Sequence, residues 1–146
     1  MNIDNIKKNV EVDDGLILLG KPLKLSKYGK TIEITPVNWF YDWSNFVYAL
    51  GVFLSYYYIV CTNAKLPDSL DELKEFESNV ATAMSNKEAF NALCKVCKYS
   101  GFNTRWMKKK FTLSDWIEVF IYVYLFNIQG VKKNSKIALK ALKSTQ

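Results

Sequence analysis

Trp39-Phe40-Tyr41-Asp42-Trp43-Ser44-Asn45-Phe46-Val47-Tyr48-Ala49-Leu50-Gly51-Val52-Phe53-Leu54-Ser55-Tyr56-Tyr57-Tyr58-Ile59-Val60-Cys61 holds one charge, Asp42, and no other follows before Lys65. The uncharged run from Trp43 to Ala64 has 22 residues, and a membrane span needs about 20. Its composition argues the other way. Ser44, Asn45, Ser55, Thr62 and Asn63 are polar, and Tyr56-Tyr57-Tyr58 lies inside the run, whereas interfacial aromatic belts lie at the ends of a span. Lysines flank both sides at similar density, Lys27 and Lys30 before it and Lys65 and Lys74 after it, so no orientation is specified. The run reads as a helix of a helical core, because helices that are apolar all round occur in cores as well as in membranes. A span at 43–64 is the competing reading.

Working outward, Thr35-Pro36 offers a cap and a first helical position that needs no amide donor. The first helix is therefore expected from Pro36 to about Thr62. Before it, Leu23-Lys24-Leu25 and Thr31-Ile32-Glu33-Ile34-Thr35 alternate with period two around a turn at 26–30. This predicts a β-hairpin with Leu23, Leu25, Ile32 and Ile34 on one face. Leu16-Ile17-Leu18-Leu19 is a short apolar run closed by Gly20-Lys21-Pro22.

Beyond the loop at Pro67, three capping boxes mark helix starts, each pairing a Ser or Thr with an acid three residues on. Ser69 with Glu72 opens a helix to about Met84, Ser85 with Glu88 one to about Tyr99, and Thr112 with Asp115 one to about Gln129. Phe111 and Trp116 stand as a hydrophobic staple around the last box. That helix has only 13 consecutive uncharged residues, Val119 to Val131, too few to span. Residues 132–143 predict a final basic helix, and 105–110 a charged loop. The expected architecture is mainly α: a single domain over 1–146, with a flexible arm at 1–14, the hairpin at 16–35 and a body of about five helices at 36–146.

The net charge of +6 is unevenly spread, with residues 91–146 carrying eleven basic against two acidic groups. Nineteen of the twenty basic residues are lysine and Arg105 is the sole arginine. Arginine's planar fork is what reads base edges and phosphates, so specific nucleic-acid recognition is not expected. The basic C-terminal third suits an acidic partner or a solvated face.

Cys94-Lys95-Val96-Cys97 is the one pattern with a chemical reputation. With no histidine and only Cys61 to spare, a four-ligand zinc site cannot be completed within the chain. No βαβ pattern surrounds the pair to make it a redox couple, and buried free cysteines are ordinary core residues. The missing histidine also removes the commonest general base. No catalytic, cofactor-binding or metal-binding residues are expected, the chain reads as no enzyme, and the absence of an apolar leader points to the cytoplasm.

A short hairpin leading through "GKTIEITPVNWFYDW" into a helix, then several small helices, then "FTLSDWIEVFIYVYLFN" running from Asp115 to Asn127, is similar in layout to the tail assembly chaperones of long-tailed bacteriophages. The resemblance covers about residues 16–130. It implies a non-enzymatic protein that holds apolar helices of a tape measure protein while the tail tube assembles, with tape measure or tube subunits as partners. The family carries no catalytic motif onto this chain. Tyr and Trp offer large contact area with a polar handle. Tyr28, Tyr99 and Trp106, with Lys108, Lys109 and Lys110, are the expected partner-contacting residues, and self-association stays open. The other classes to weigh are a small holin-like membrane protein and a basic module that binds nucleic acid without sequence preference.

Overall fold

A computed structural model describes residues 23–38, 40–62, 64–67 and 70–129. The fold is mainly α, with an antiparallel hairpin at its N-terminal side. β1 (Leu23–Lys27) and β2 (Lys30–Ile34) pair Leu23 with Ile34 and Leu25 with Ile32, the four apolar residues that the alternation puts on one face. The turn is tighter than the sequence suggests. Tyr28 and Gly29 alone make it, at φ 52° and 74°, as a two-residue hairpin turn that matches strand twist requires.

Among the described residues five α-helices follow: α1 (Trp43–Val60), α2 (Leu73–Ala83), α3 (Lys87–Tyr99), α4 (Thr104–Lys110) and α5 (Leu113–Tyr124). The first starts seven residues later than Thr35-Pro36 implies. Residues 35–38 are not helical, and Asn38 then turns the chain. Its carbonyl accepts the amides of Asp42 and Trp43, while its side-chain oxygen accepts those of Phe40 and Tyr41, all at 3.0 Å. A side chain that bonds its own backbone two or three residues on competes with the helix, so Asn38 displaces Pro36 as the organiser of the entry.

Other starts differ by smaller margins. A 3₁₀ turn, Leu70–Glu72, precedes α2, and the cap expected at Ser69 lies outside the described residues. Asn86, not Ser85, caps α3 by accepting from the Ala89 amide, because Ser85 Oγ instead donates back to the Thr82 carbonyl. The stretch expected as a charged loop, Arg105 to Lys110, is helical as α4. Asn103 caps it by accepting from the Trp106 amide, and three lysines close it at the end where the macrodipole favours cations. At α5 the expected box is present, with Thr112 and Asp115 bonded reciprocally, and Phe111 stacks edge-on against Trp116 at 5.4 Å between ring centres. The arm at 1–14, the run Leu16–Leu19 and the basic helix at 132–143 lie outside the described residues.

The core is built around α5. From Trp116 to Tyr124 every residue but Glu118 is buried. The Phe120 ring lies 4.8 Å from Phe53 of α1 and 6.2 Å from Phe76 of α2, and Phe76 packs 5.2 Å from Tyr124. Past Tyr124 the chain widens into a π-helical turn, Leu125–Gln129. There Asn127, buried, accepts the Val37 amide and donates to the Val123 carbonyl. At the other end of α5 the Lys27 ammonium reaches Asp115 at 3.3 Å and Glu118 at 3.2 Å, and the Tyr28 hydroxyl donates to Asp115. The hairpin and its exit are thus bolted to both ends of one helix.

Candidate functional site

α1 buries Phe46, Ala49, Leu50, Phe53 and Tyr57, a stripe at the three- and four-residue steps that keep side chains on one helical face. Its packing runs chiefly along α3. Tyr57, the middle member of the tyrosine triplet, is fixed by donating to the Lys65 carbonyl at 2.8 Å and accepting from the Asn79 amide nitrogen at 3.4 Å. Cys61 donates to the Asn79 carbonyl just below. With that face committed to the core, the opposite face is set by geometry.

That opposite face is exposed and carries no charge. Ser44, Val47, Tyr48, Gly51, Ser55, Tyr58 and Ile59 follow one another along it, over a helix of 18 residues. Tyr48 is 76% exposed and Ile59 78%. The turn built by Asn38 adds Phe40 at 92% and Tyr41 at 82% at the N-terminal end. α1 therefore differs from the buried helix the sequence suggests: α5 takes that role, and half of α1 faces outward. A single exposed apolar residue is ordinary, but Val47 with Tyr48 and Tyr58 with Ile59, exposed in two pairs on one uncharged helix face, mark a contact surface.

Beside the stripe, a groove of about 340 Å³ opens between α1 and α3, lined by Tyr48, Val52 and Tyr56 on one wall and by Asn91, Lys95 and Tyr99 on the other. Gly51 stands next to it on the outer face, and a Cβ added there would meet none of the described residues within 4 Å. The helix thus has a flat place between Tyr48 and Ser55 where another backbone can come close. Stripe and groove together accommodate apolar side chains, with Tyr hydroxyls, Asn91 and Lys95 at the edge to orient what enters.

The six residues singled out from sequence lie on α3, on α4 and at the hairpin tip. Tyr99 lines the α1–α3 groove. Trp106 is half-buried, packs edge-on against Phe111 at 5.7 Å, and lies beneath the Lys30 ammonium at 4.6 Å. Tyr28 is exposed at the hairpin tip, 6.3 Å from Phe111 and bonded to Asp115. Lys108, Lys109 and Lys110 are exposed on the last turn of α4. The outer face of α1 was not among the expected contacts. Its signal lay in Ser44, Gly51 and Ser55, whose small or polar side chains mark the side of the helix opposite Phe46, Phe53 and Tyr57.

The three cysteines are buried and free. Burial pushes the Cys94 thiol above its ordinary range, and burial with Cys94 alongside pushes Cys97 up further, the opposite of what a reactive thiolate needs. Among the described residues no group of three metal-ligating side chains comes together, and no helix is long and apolar enough to cross a membrane. No family model matches the chain, nor does any curated protein or solved structure.

Proposed function

We propose that this chain is a non-catalytic binding protein that receives an apolar helix of another protein along the outer face of α1. In the fuller form of the proposal it is a tail assembly chaperone of long-tailed phage type, with a tape measure protein as its partner. The observation that carries the reading is the uncharged, exposed face of α1 from Ser44 to Ile59, with Phe40 and Tyr41 exposed in the turn before it. Its residues recur at the three- and four-residue spacing that meshes with a second helix. Gly51 gives that helix a place of close approach, and the α1–α3 groove beside it can take one of its anchoring side chains. The resemblance in layout to the phage chaperones supplies the partner. Tape measure proteins are long helices that need cover until the tube encloses them.

The test is co-expression of the chain with apolar tape measure segments, followed by co-purification. Wild type is expected to retain a segment, and the doubly charged variant Tyr48→Glu with Ile59→Glu to lose it while keeping its helical circular dichroism and melting temperature. Both positions point outward, so the fold should tolerate the charges. Equal retention by the double variant would refute the α1 face. Retention of unrelated amphipathic helices but of no tape measure segment would refute the phage assignment and keep the helix-binding one.

A further inference from the structure

A second groove, of about 440 Å³, runs along β2 on the other side of the hairpin. Lys30, Thr31, Ile32 and Glu33 line it in unbroken succession, facing Phe102 and Trp106 across it. Successive residues of a strand point to opposite faces of its sheet, so a cleft touching all of them follows the strand's edge and not one of its faces.

The register says which backbone groups that edge presents. In a hairpin closed by a two-residue turn the flanking residues form a hydrogen-bonded pair, here Lys27 and Lys30. Bonded and non-bonded pairs then alternate, so Ile32 and Ile34 bond back to β1 while Thr31 and Glu33 aim their N–H and C=O groups away from it. β2 has no neighbour on that side among the described residues. No hydrogen bond among the described residues reaches the outward groups of Thr31 or Glu33. A strand edge in this state is a template for another extended chain.

The surroundings specify the chain it suits. Lys30 stands over the Trp106 ring at 4.6 Å. Lys109 and Lys110 follow Trp106 by three and four residues in α4, on its side of the helix. The carboxylate of Glu33 is engaged by Lys24 at 3.8 Å. The rim is therefore positive and favours an acidic occupant.

We infer that the groove between β2 and α4 binds an extended, acidic segment of a partner protein by strand addition, pairing with Thr31 and Glu33 while Trp106 forms the opposite wall. This surface is separate from the α1 face, and neither proposal depends on the other.

The probe is a short synthetic peptide alternating Val with Glu, fluorescently labelled, compared with its Val/Lys counterpart and with the Val/Glu peptide N-methylated at alternate residues. Anisotropy should show the Val/Glu peptide binding at least about tenfold more tightly than either control, since one control loses the charge match and the other the backbone donors. Thr31→Pro removes an outward N–H at a position where an edge strand accepts proline, and should weaken binding by a similar factor. Should that variant fold poorly, Lys30→Glu with Lys110→Glu tests the same groove without touching the backbone. Hydrogen exchange supplies the second reading: the Thr31 and Glu33 amides should exchange fast in the free chain and slow when the peptide is added. Protection of those amides in the free chain, whether by its own residues or by a second copy, would overturn the proposal. So would equal binding of the N-methylated peptide, or absence of binding by the Val/Glu peptide.

Discussion

The side-chain oxygen of Asn127 accepts the main-chain amide of Val37 at 2.8 Å, across 90 residues of sequence. Its nitrogen donates to the Val123 carbonyl one turn back. A buried amide with both ends engaged fixes the path of the chain between hairpin and α1, and the π-helical turn at Leu125–Gln129 is where Asn127 sits.

Replacing Asn127 by Ala leaves the Val37 N–H buried without its acceptor. The expected cost is about 1–3 kcal/mol of unfolding free energy, read from urea titration. The Val37 amide, protected in the wild type, should exchange much faster in the variant. Unchanged stability and unchanged exchange would show that water takes over the acceptor's place.

The cluster at the hairpin tip predicts how stability depends on pH. Burial alone would raise the Asp115 carboxyl, but hydrogen bonds from Tyr28, the Thr112 amide and Lys27 outweigh it and hold Asp115 below the usual range. A depressed carboxylate stabilises the fold above its unfolded value of about 3.9 and loses that contribution as pH falls through its folded value. For Lys27, burial pulls the ammonium down, and Glu118 and Asp115 more than offset this, so it stands above its ordinary value. Its contribution is complete below about 10.4 and fades as pH rises through the folded value. The unfolding midpoint should therefore be flat from about pH 5 to 9 as far as these two groups act. Asp115→Asn should lower the plateau and flatten the acid limb. An acid limb as steep in the variant as in the wild type would locate the acid sensitivity elsewhere.

The parts of the fold legible in sequence were those set by local chemistry. The hairpin face of Leu23, Leu25, Ile32 and Ile34, the Thr112–Asp115 box and the Phe111–Trp116 staple each rest on residues within a few positions of one another or on plain alternation. The entry to α1 was illegible because Pro36 and Asn38 both give valid signals. Asn127 holds Val37 in a conformation that lets Asn38 decide, and sequence order does not show that a residue 90 positions away takes part. α4 was hidden by its lysines, since a run of charge reads as loop until the Asn103 cap is noticed. At the candidate site the difficulty was symmetry. Both faces of α1 are uncharged, so periodicity could not say which one α3 and α5 would cover.

The buried thiols give a further expectation. Cys94 and Cys97 lie one turn apart on α3, both in the core. With burial raising each pKa, alkylation in the native chain must wait for the helix to open. Labelling at mildly alkaline pH should be at least about 100-fold slower in the native than in the urea-unfolded protein. Fast native labelling of Cys97 would mean that α3 detaches readily from the core.

Gly51 separates what α1 needs for stability from what its outer face offers a partner. In the middle of an exposed helix glycine costs about 0.5–1 kcal/mol relative to alanine, and at Gly51 no neighbour among the described residues explains the choice, since an added Cβ meets none of them within 4 Å. Gly51→Ala should accordingly raise the unfolding free energy by about that amount, measured by urea titration. If a partner helix lies across this point between Tyr48 and Ser55, the new methyl group holds the two backbones apart. The same variant should then retain a co-expressed tape measure segment less well, and Gly51→Leu less well still. A chain that is more stable and binds more weakly is the signature of a residue kept small for contact. A variant that gains stability with binding intact would leave Gly51 as an unforced local choice and move the contact toward Phe40 and Tyr41 or toward Tyr58 and Ile59.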